Sequence, residues 1–206
     1  MARLSRKVVS NVEDLLSRIG HLRKYIRVYD EKDIVLFNSY NEDEFGVLSN
    51  YYASSVPLPW RGKHFSSVEA MIFYAYIEDN CINPKWQEEK EKVLDLILHT
   101  KVGNEVKKCK NPLYDKVRKA TVKKIGEENW NLYAWKMSCD ANKVKYEHCP
   151  EFRAVVDANK DKFFCENSYW NEIPKAGVLK IEDANSPYNG KYIGCNFTGI
   201  AIQLCV

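Results

Sequence analysis

The run Val68-Glu-Ala-Met-Ile-Phe-Tyr-Ala-Tyr-Ile-Glu78 is apolar on nearly every side of the helix that its composition predicts. Such a helix has no face suited to water, so it belongs in the middle of a domain with other elements packed around it. Its start is marked by Ser66 and Ser67. The spacing Ser66-Ser-Val-Glu69 fits a capping box, in which a glutamate at the third helical position bonds back to the cap.

The rest of the chain supplies what surrounds this helix. Residues 84–100 read as an amphipathic helix with Pro84 in its first turn, and shorter helices are expected over 103–110 and 112–124. Gly103, Asn111 and Gly126 break them. A further helix covers 127–147, carrying Trp130, Tyr133, Met137, Val144 and Tyr146, and Pro150 opens another over 151–158. Strand composition is confined to 34–38 and 162–166, and Pro57-Leu-Pro-Trp-Arg-Gly-Lys63 suits a short hairpin. Turns fall around Asn185-Ser-Pro-Tyr and Asn189-Gly190. Ahead of all this, residues 8–28 place Val12, Leu15, Leu16, Ile19, Leu22 and Ile26 at helical spacing. The expected fold is mainly α with a few short strands, an α+β arrangement in one compact domain over 34–206, with 1–33 as a helical extension.

Composition excludes several function classes. Thirty-one basic against 28 acidic side chains leave a net charge of +3, too balanced for strong duplex-DNA binding by electrostatics alone. The lysines at 107, 108, 110, 116, 119, 123 and 124 read as a solvated helix face. Seven cysteines without a CxxC pair suit a reducing, cytoplasmic compartment, with thiols as small buried residues. His148-Cys149 with Cys139 lacks the paired spacing of structural zinc sites, so no metal and no cofactor is expected. No run approaches a membrane span, and the N-terminus lacks the apolar core of a secretory signal. Walker loops, GxGxxG after a strand, HExxH and nucleophile elbows are all missing from the sequence.

Chemistry concentrates before and at the start of the central helix. Phe45-Gly46-Val-Leu-Ser-Asn50-Tyr51-Tyr52 combines a turn-permitting glycine, short hydrogen-bonding groups and two rings, and Glu69 follows. Donors, flat rings and a carboxylate together suit a sugar–base ligand. Glu69 fits either a structural cap or a ligand contact, because a helix-start carboxylate is fixed in place and can still face a cleft. Glu166 ends the second apolar strand beside Asn167-Ser-Tyr-Trp170, where it is either a ligand contact or a solvated strand end. Trp60, Trp130, Trp135 and Trp170 are candidate stacking platforms, although tryptophan more commonly fills cores. Gly194-Cys-Asn196-Phe-Thr-Gly199 forms a turn into the last apolar segment, where Asn196 ties a loop and Gly199 permits close packing.

Three blocks resemble the NADAR family, also called YbiA-like: Phe45-Gly-x-Leu-Ser-Asn-Tyr-Tyr52, Gly62-Lys-x-Phe65-x-Ser-Val-Glu69, and Gly194-x-Asn196-x-x-Gly199. Trp130, Met137 and Lys145-Tyr146 ahead of Pro150-Glu-Phe-Arg resemble its middle section. The similarity spans roughly residues 36–206. It implies a mostly α-helical domain that hydrolyses N-glycosidic bonds. The implied substrates are a phosphorylated nucleoside of the riboflavin pathway or ADP-ribose attached to guanine, with ADP-ribosylated nucleic acid as the larger partner. A module that binds ADP-ribose without cleaving it is the alternative.

On this resemblance Glu69 is the ribose-side carboxylate and Glu166 a second acid or orienter. Trp130 or Trp170 is the platform for the base, and Asn50 binds a sugar hydroxyl or phosphate. Gly46, Tyr52, Asn167 and Asn196 complete the substrate-binding set. The sequence departs from the family at Ala70 and Tyr76, where histidine and lysine are usual, and at Asn167, where an aspartate is usual. A lysine-linked intermediate proposed for some members then lacks its amine, unless Lys63 or Lys145 substitutes.

Overall fold

The structure, a computed structural model, describes residues 24–38, 45–101, 105, 112–167 and 177–206. Most of the helix expected over 8–28, nearly all of the one over 103–110 and the platform candidate Trp170 lie outside the described residues, as do 39–44 and 168–176. A mixed α+β fold is observed, with the central helix as anticipated. This helix, α1 (Val68–Asn80), buries Val68, Ala70, Met71, Phe73, Tyr74, Ala75, Tyr76 and Ile77, a set that goes round the whole cylinder. It packs against α2 (Gln87–His99), α3 (Pro112–Ile125) and the long α4 (Glu127–His148). Pro84 opens a single 3-10 turn, Pro84–Trp86, before α2, because its fixed φ and missing N–H suit a helix start.

Three small sheets frame this helical core. Strand β2 (Ile34–Phe37) pairs in parallel with β5 (Phe163–Glu166), setting Phe37 opposite Glu166. Strands β3 (Leu58–Trp60) and β4 (Lys63–Phe65) form the expected hairpin. Its two-residue turn places Arg61 and Gly62 at φ 50° and 70°, the positive values that match the twist of the strands. Arg61 then donates to both oxygens of Asp79, at 2.7 and 3.0 Å, pinning the hairpin to the end of α1.

The third sheet departs from expectation. Strand β1 (Arg27–Tyr29) pairs antiparallel with β7 (Tyr192–Gly194), which also pairs with β6 (Leu179–Lys180). Residues 27–33 are therefore built into the domain, and the helix expected over 8–28 has given way to strand by Arg27. The register explains this: Tyr29 is buried beside Ile34, Cys165, Val178 and Tyr192, so pairing adds a satellite core that a surface helix would forgo.

Helix α5 (Pro150–Ala158) follows α4, and the last element is α6 (Phe197–Gln203), which packs on β5 and α4. The final apolar segment is thus helical. Among the described residues no helix is long and apolar enough to cross a membrane. The six described cysteines are free, and among the described residues no group of three His, Cys, Asp or Glu side chains is placed to hold a metal.

Candidate functional site

The start of α1 is where loop and carboxylate meet. Ser67, not Ser66, is the N-cap: its Oγ accepts from Ala70 N at 3.2 Å. Ser66 instead donates to the Thr100 carbonyl at 2.6 Å. The residue three positions beyond the cap is consequently Ala70, and Glu69 sits one place earlier than a capping box requires. Its backbone N–H is taken by the Asn50 carbonyl at 2.9 Å, so the 46–52 loop lies directly against the helix end. A carboxylate in the first turn is favoured in its ionised form by the helix dipole.

Tyr51 organises this corner. Its hydroxyl donates to Glu69 Oε1 at 2.9 Å. Burial, and then the negative charges of Glu69 and Glu166, raise its pKa far above the ordinary tyrosine range. The same ring thus stands within electrostatic reach of both predicted carboxylates, which approach it from α1 and from the end of β5. Tyr114 on α3 belongs to the same group: burial, then the charge on Glu69, push its hydroxyl up to about 12.

Glu166 is held by backbone geometry. Asn167 N donates to the Phe37 carbonyl at 2.7 Å and Val178 N to the Glu166 carbonyl at 2.7 Å. Gly177 makes the second contact possible, since a Cβ there would overlap the Glu166 carbonyl. Asn167 continues β5 through a bridge to Val178, so its backbone serves the sheet.

The remaining candidates divide. Asn50 Oδ1 accepts from Asn142 Nδ2 at 3.3 Å, and Asn142, fully buried on α4, also donates to the Ser138 carbonyl at 2.9 Å. Asn142 Oδ1 is buried without a hydrogen-bond partner. Gly46 is buried inside the 3-10 turn Gly46–Leu48, where its carbonyl accepts from Ser49 N, so it shapes the loop instead of facing a ligand. Tyr52 turns toward α5: its hydroxyl reaches Glu151 at 3.5 Å and its ring lies 5.3 Å from Lys145 Nζ. Of the two adjacent tyrosines, Tyr51 joins the carboxylates and Tyr52 anchors the loop.

Asn196 and Trp130, also expected in the substrate-binding set, sit in the packed interior. Asn196, at φ 53° in the left-handed region that asparagine tolerates, precedes α6 and donates to the Phe164 carbonyl at 2.8 Å and to Tyr29 Oη at 3.2 Å. With 1% exposure, its Nδ2 ties β1 to β5, while its Oδ1 is buried without a hydrogen-bond partner. Trp130 is 5% exposed, edge-on to Tyr76 at 4.4 Å and tilted against Tyr133 at 5.5 Å. Its indole fills the core. Tyr76 in turn stacks on Tyr114 at 4.4 Å and 18°.

Motif reasoning offers Lys145 only as a spare amine, and that role does not fit its placement. Fully buried, it donates from Nζ to the Val47 carbonyl at 2.6 Å and the Ser49 carbonyl at 2.9 Å, with the Phe152 ring at 4.6 Å. Lys63 is exposed on β4. Burial pulls Lys145 down to about 7, only partly offset by the negative charge of Glu151, which favours its protonated form. A lysine with a lowered folded pKa binds its proton less tightly than in the unfolded chain. The folded state therefore bears the full cost of burying the charge below pH 7, and that cost is relieved as pH rises toward the unfolded value of 10.5. Burial raises the Cys149, Cys165 and Cys205 thiols, which oppose the trend once unfolded thiols ionise near 9. The urea midpoint is expected to climb between about pH 6.5 and 8.5, and the climb should vanish in Lys145→Met. A parallel slope in the variant would remove Lys145 as its source.

A mostly apolar cleft of about 220 Å³ lies elsewhere, lined by Tyr25, Leu132, Trp135, Phe197 and Ile200 with Arg27 and Glu128 among others, and neither Glu69 nor Glu166 is part of its lining. Compared with known proteins, the chain matches no family description and no curated protein.

Proposed function

We propose that the chain is an N-glycosidase acting on an ADP-ribosyl or ribosyl-phosphate compound. The observation that carries this reading is Tyr51, bonded to Glu69 and electrostatically coupled to Glu166. Expelling a base from an N-glycoside builds positive charge on the ribose. An ionised carboxylate beside the sugar stabilises that charge and orients or deprotonates water. Glu69, at a helix start, takes that part. Glu166 is the second acid, and Asn50 contacts a sugar hydroxyl or phosphate. Tyr51 fixes the Glu69 carboxylate and, remaining protonated, keeps a donor in the site. The resemblance of the 45–52 and 62–69 blocks to the NADAR family points the same way and supplies the substrate class.

A second reading is favoured by Tyr76. The position where that family carries lysine holds a ring that is 3% exposed and stacked on Tyr114. Cleavage here must run through carboxylates alone, and a site that lost its amine also suits a module that only binds ADP-ribose. Incubating the protein with ADP-ribosylated guanosine and following guanine-base release by chromatography, with ADP-ribose titration by calorimetry alongside, decides between them. Release at catalytic protein concentration is expected. Binding without release establishes the module, and the absence of both binding and release overturns both readings.

A further inference from the structure

Helices α4 and α5 converge on the loop that carries Asn50 and Tyr51, and their meeting point is one side chain. Lys145 rises from α4 beneath the loop, its Nζ enclosed by the Tyr52 and Phe152 rings and bonded to two carbonyls of the loop backbone. The next turn of chain repeats the grip from α5, where Glu151 Oε1 accepts from Ser55 N at 3.2 Å and from the Tyr52 hydroxyl. A backbone carbonyl that accepts from a buried amine in a dry site is held more firmly than one bonded to water. The Val47 and Ser49 carbonyls bracket the peptide units immediately before Asn50. Their anchoring sets where the Asn50 carbonyl meets Glu69 N and where the Tyr51 hydroxyl meets the Glu69 carboxylate.

We propose that Lys145 is a positioning residue: through the Val47 and Ser49 carbonyls it presets the 46–52 loop so that Tyr51 holds Glu69 ready for ligand. This rests on the glycosidase reading for its purpose, while the mechanical link itself requires no ligand. A sealed amine with both carbonyls as acceptors is in no position to attack a sugar. Its effect reaches the site only through the backbone.

The test is amide hydrogen exchange on the full chain, wild type against Lys145→Met and Lys145→Gln. Methionine keeps the volume and removes the donors, whereas glutamine retains an N–H₂ able to reach one carbonyl. Exchange across 46–52 is expected to quicken by about tenfold or more in Lys145→Met. The glutamine variant should fall between it and wild type, with α1 and α4 unchanged in all three. Uniform quickening over the whole chain, or no change in the loop of a folded variant, overturns the proposal. If Lys145→Met does not fold, Lys145→Gln against wild type carries the comparison under the same criteria. The readout is independent of chemistry, so a wild type inert toward ADP-ribosyl compounds refutes the function and leaves the clamp standing. Where base release is observed, Lys145→Met should raise KM more than it lowers kcat, the reverse of the split expected for Glu69.

Discussion

Replacing Glu69 with glutamine is expected to slow base release from ADP-ribosylated guanosine by about 10²- to 10⁴-fold, with the fold and ADP-ribose affinity little changed. The substitution is nearly isosteric, and the amide oxygen that it introduces can still accept from the Tyr51 hydroxyl. The backbone bond from residue 69 to the Asn50 carbonyl is untouched. What disappears is one negative charge, which on the proposed mechanism stands where ribose charge develops. Because the lost interaction exists mainly in the transition state, kcat should fall and KM should hold. The loss has a second signature in the free protein: removing that charge should lower the pKa of Tyr51 and Tyr114, which Glu69 helps to raise. Undiminished turnover in a properly folded Glu69→Gln protein would remove this carboxylate from the mechanism.

The largest effect on stability is expected from Gly199→Ala, at roughly 3 kcal/mol or more by urea denaturation. A Cβ at residue 199 would overlap the Phe164 backbone carbonyl and crowd the Asn196 amide at 2.5 and 2.6 Å. Neither neighbour can yield cheaply. The Phe164 carbonyl already accepts from Asn196 Nδ2, and Phe164 sits in β5, paired with Val35. Relief therefore demands that α6 back away from β5, opening a gap beneath fully buried Ile202. The strain falls two residues upstream of Glu166, so base release should suffer along with stability. A cost below about 1 kcal/mol would mean that α6 is free to shift, contrary to its close packing.

The helical framework was legible because its signals are local. The all-round apolar run of α1, the proline at the start of α5 and just ahead of α2, and the Arg61-Gly62 turn each act within a few residues. Strands β6 and β7 were not legible, since two or three residues carry no periodicity and β7 finds its partner β1 far away in the chain. The same limit applies to the candidate site. Glu69 and Asn50 stood out because motif and helix start coincide. Choosing Tyr51 over Tyr52 depends on which side of the loop faces α1, and that is settled by Lys145 and Glu151 gripping Tyr52 from the other side. Tyr114 gave no signal beyond an aromatic on an amphipathic helix. The burial of Asn196 and Trp130 was not legible for a shared reason: an amide beside a glycine-rich turn, or an indole in a long helix, looks alike whether it serves a ligand or the core.

The pairing of β1 with β7 joins segments far apart in the polypeptide, and Asn196 reaches Tyr29 across 167 positions of sequence. During synthesis the emerging chain can form α1 to α5 while both Arg27–Tyr29 and Ile34–Phe37 still wait for their mates. The second is matched once Phe163–Glu166 has left the ribosome, the first only when Tyr192–Gly194 follows. Maturation is therefore gated by late-emerging residues. Premature termination before Phe163 would leave a product with two unzipped edges exposed to aggregation, and termination between Glu166 and Tyr192 would leave one.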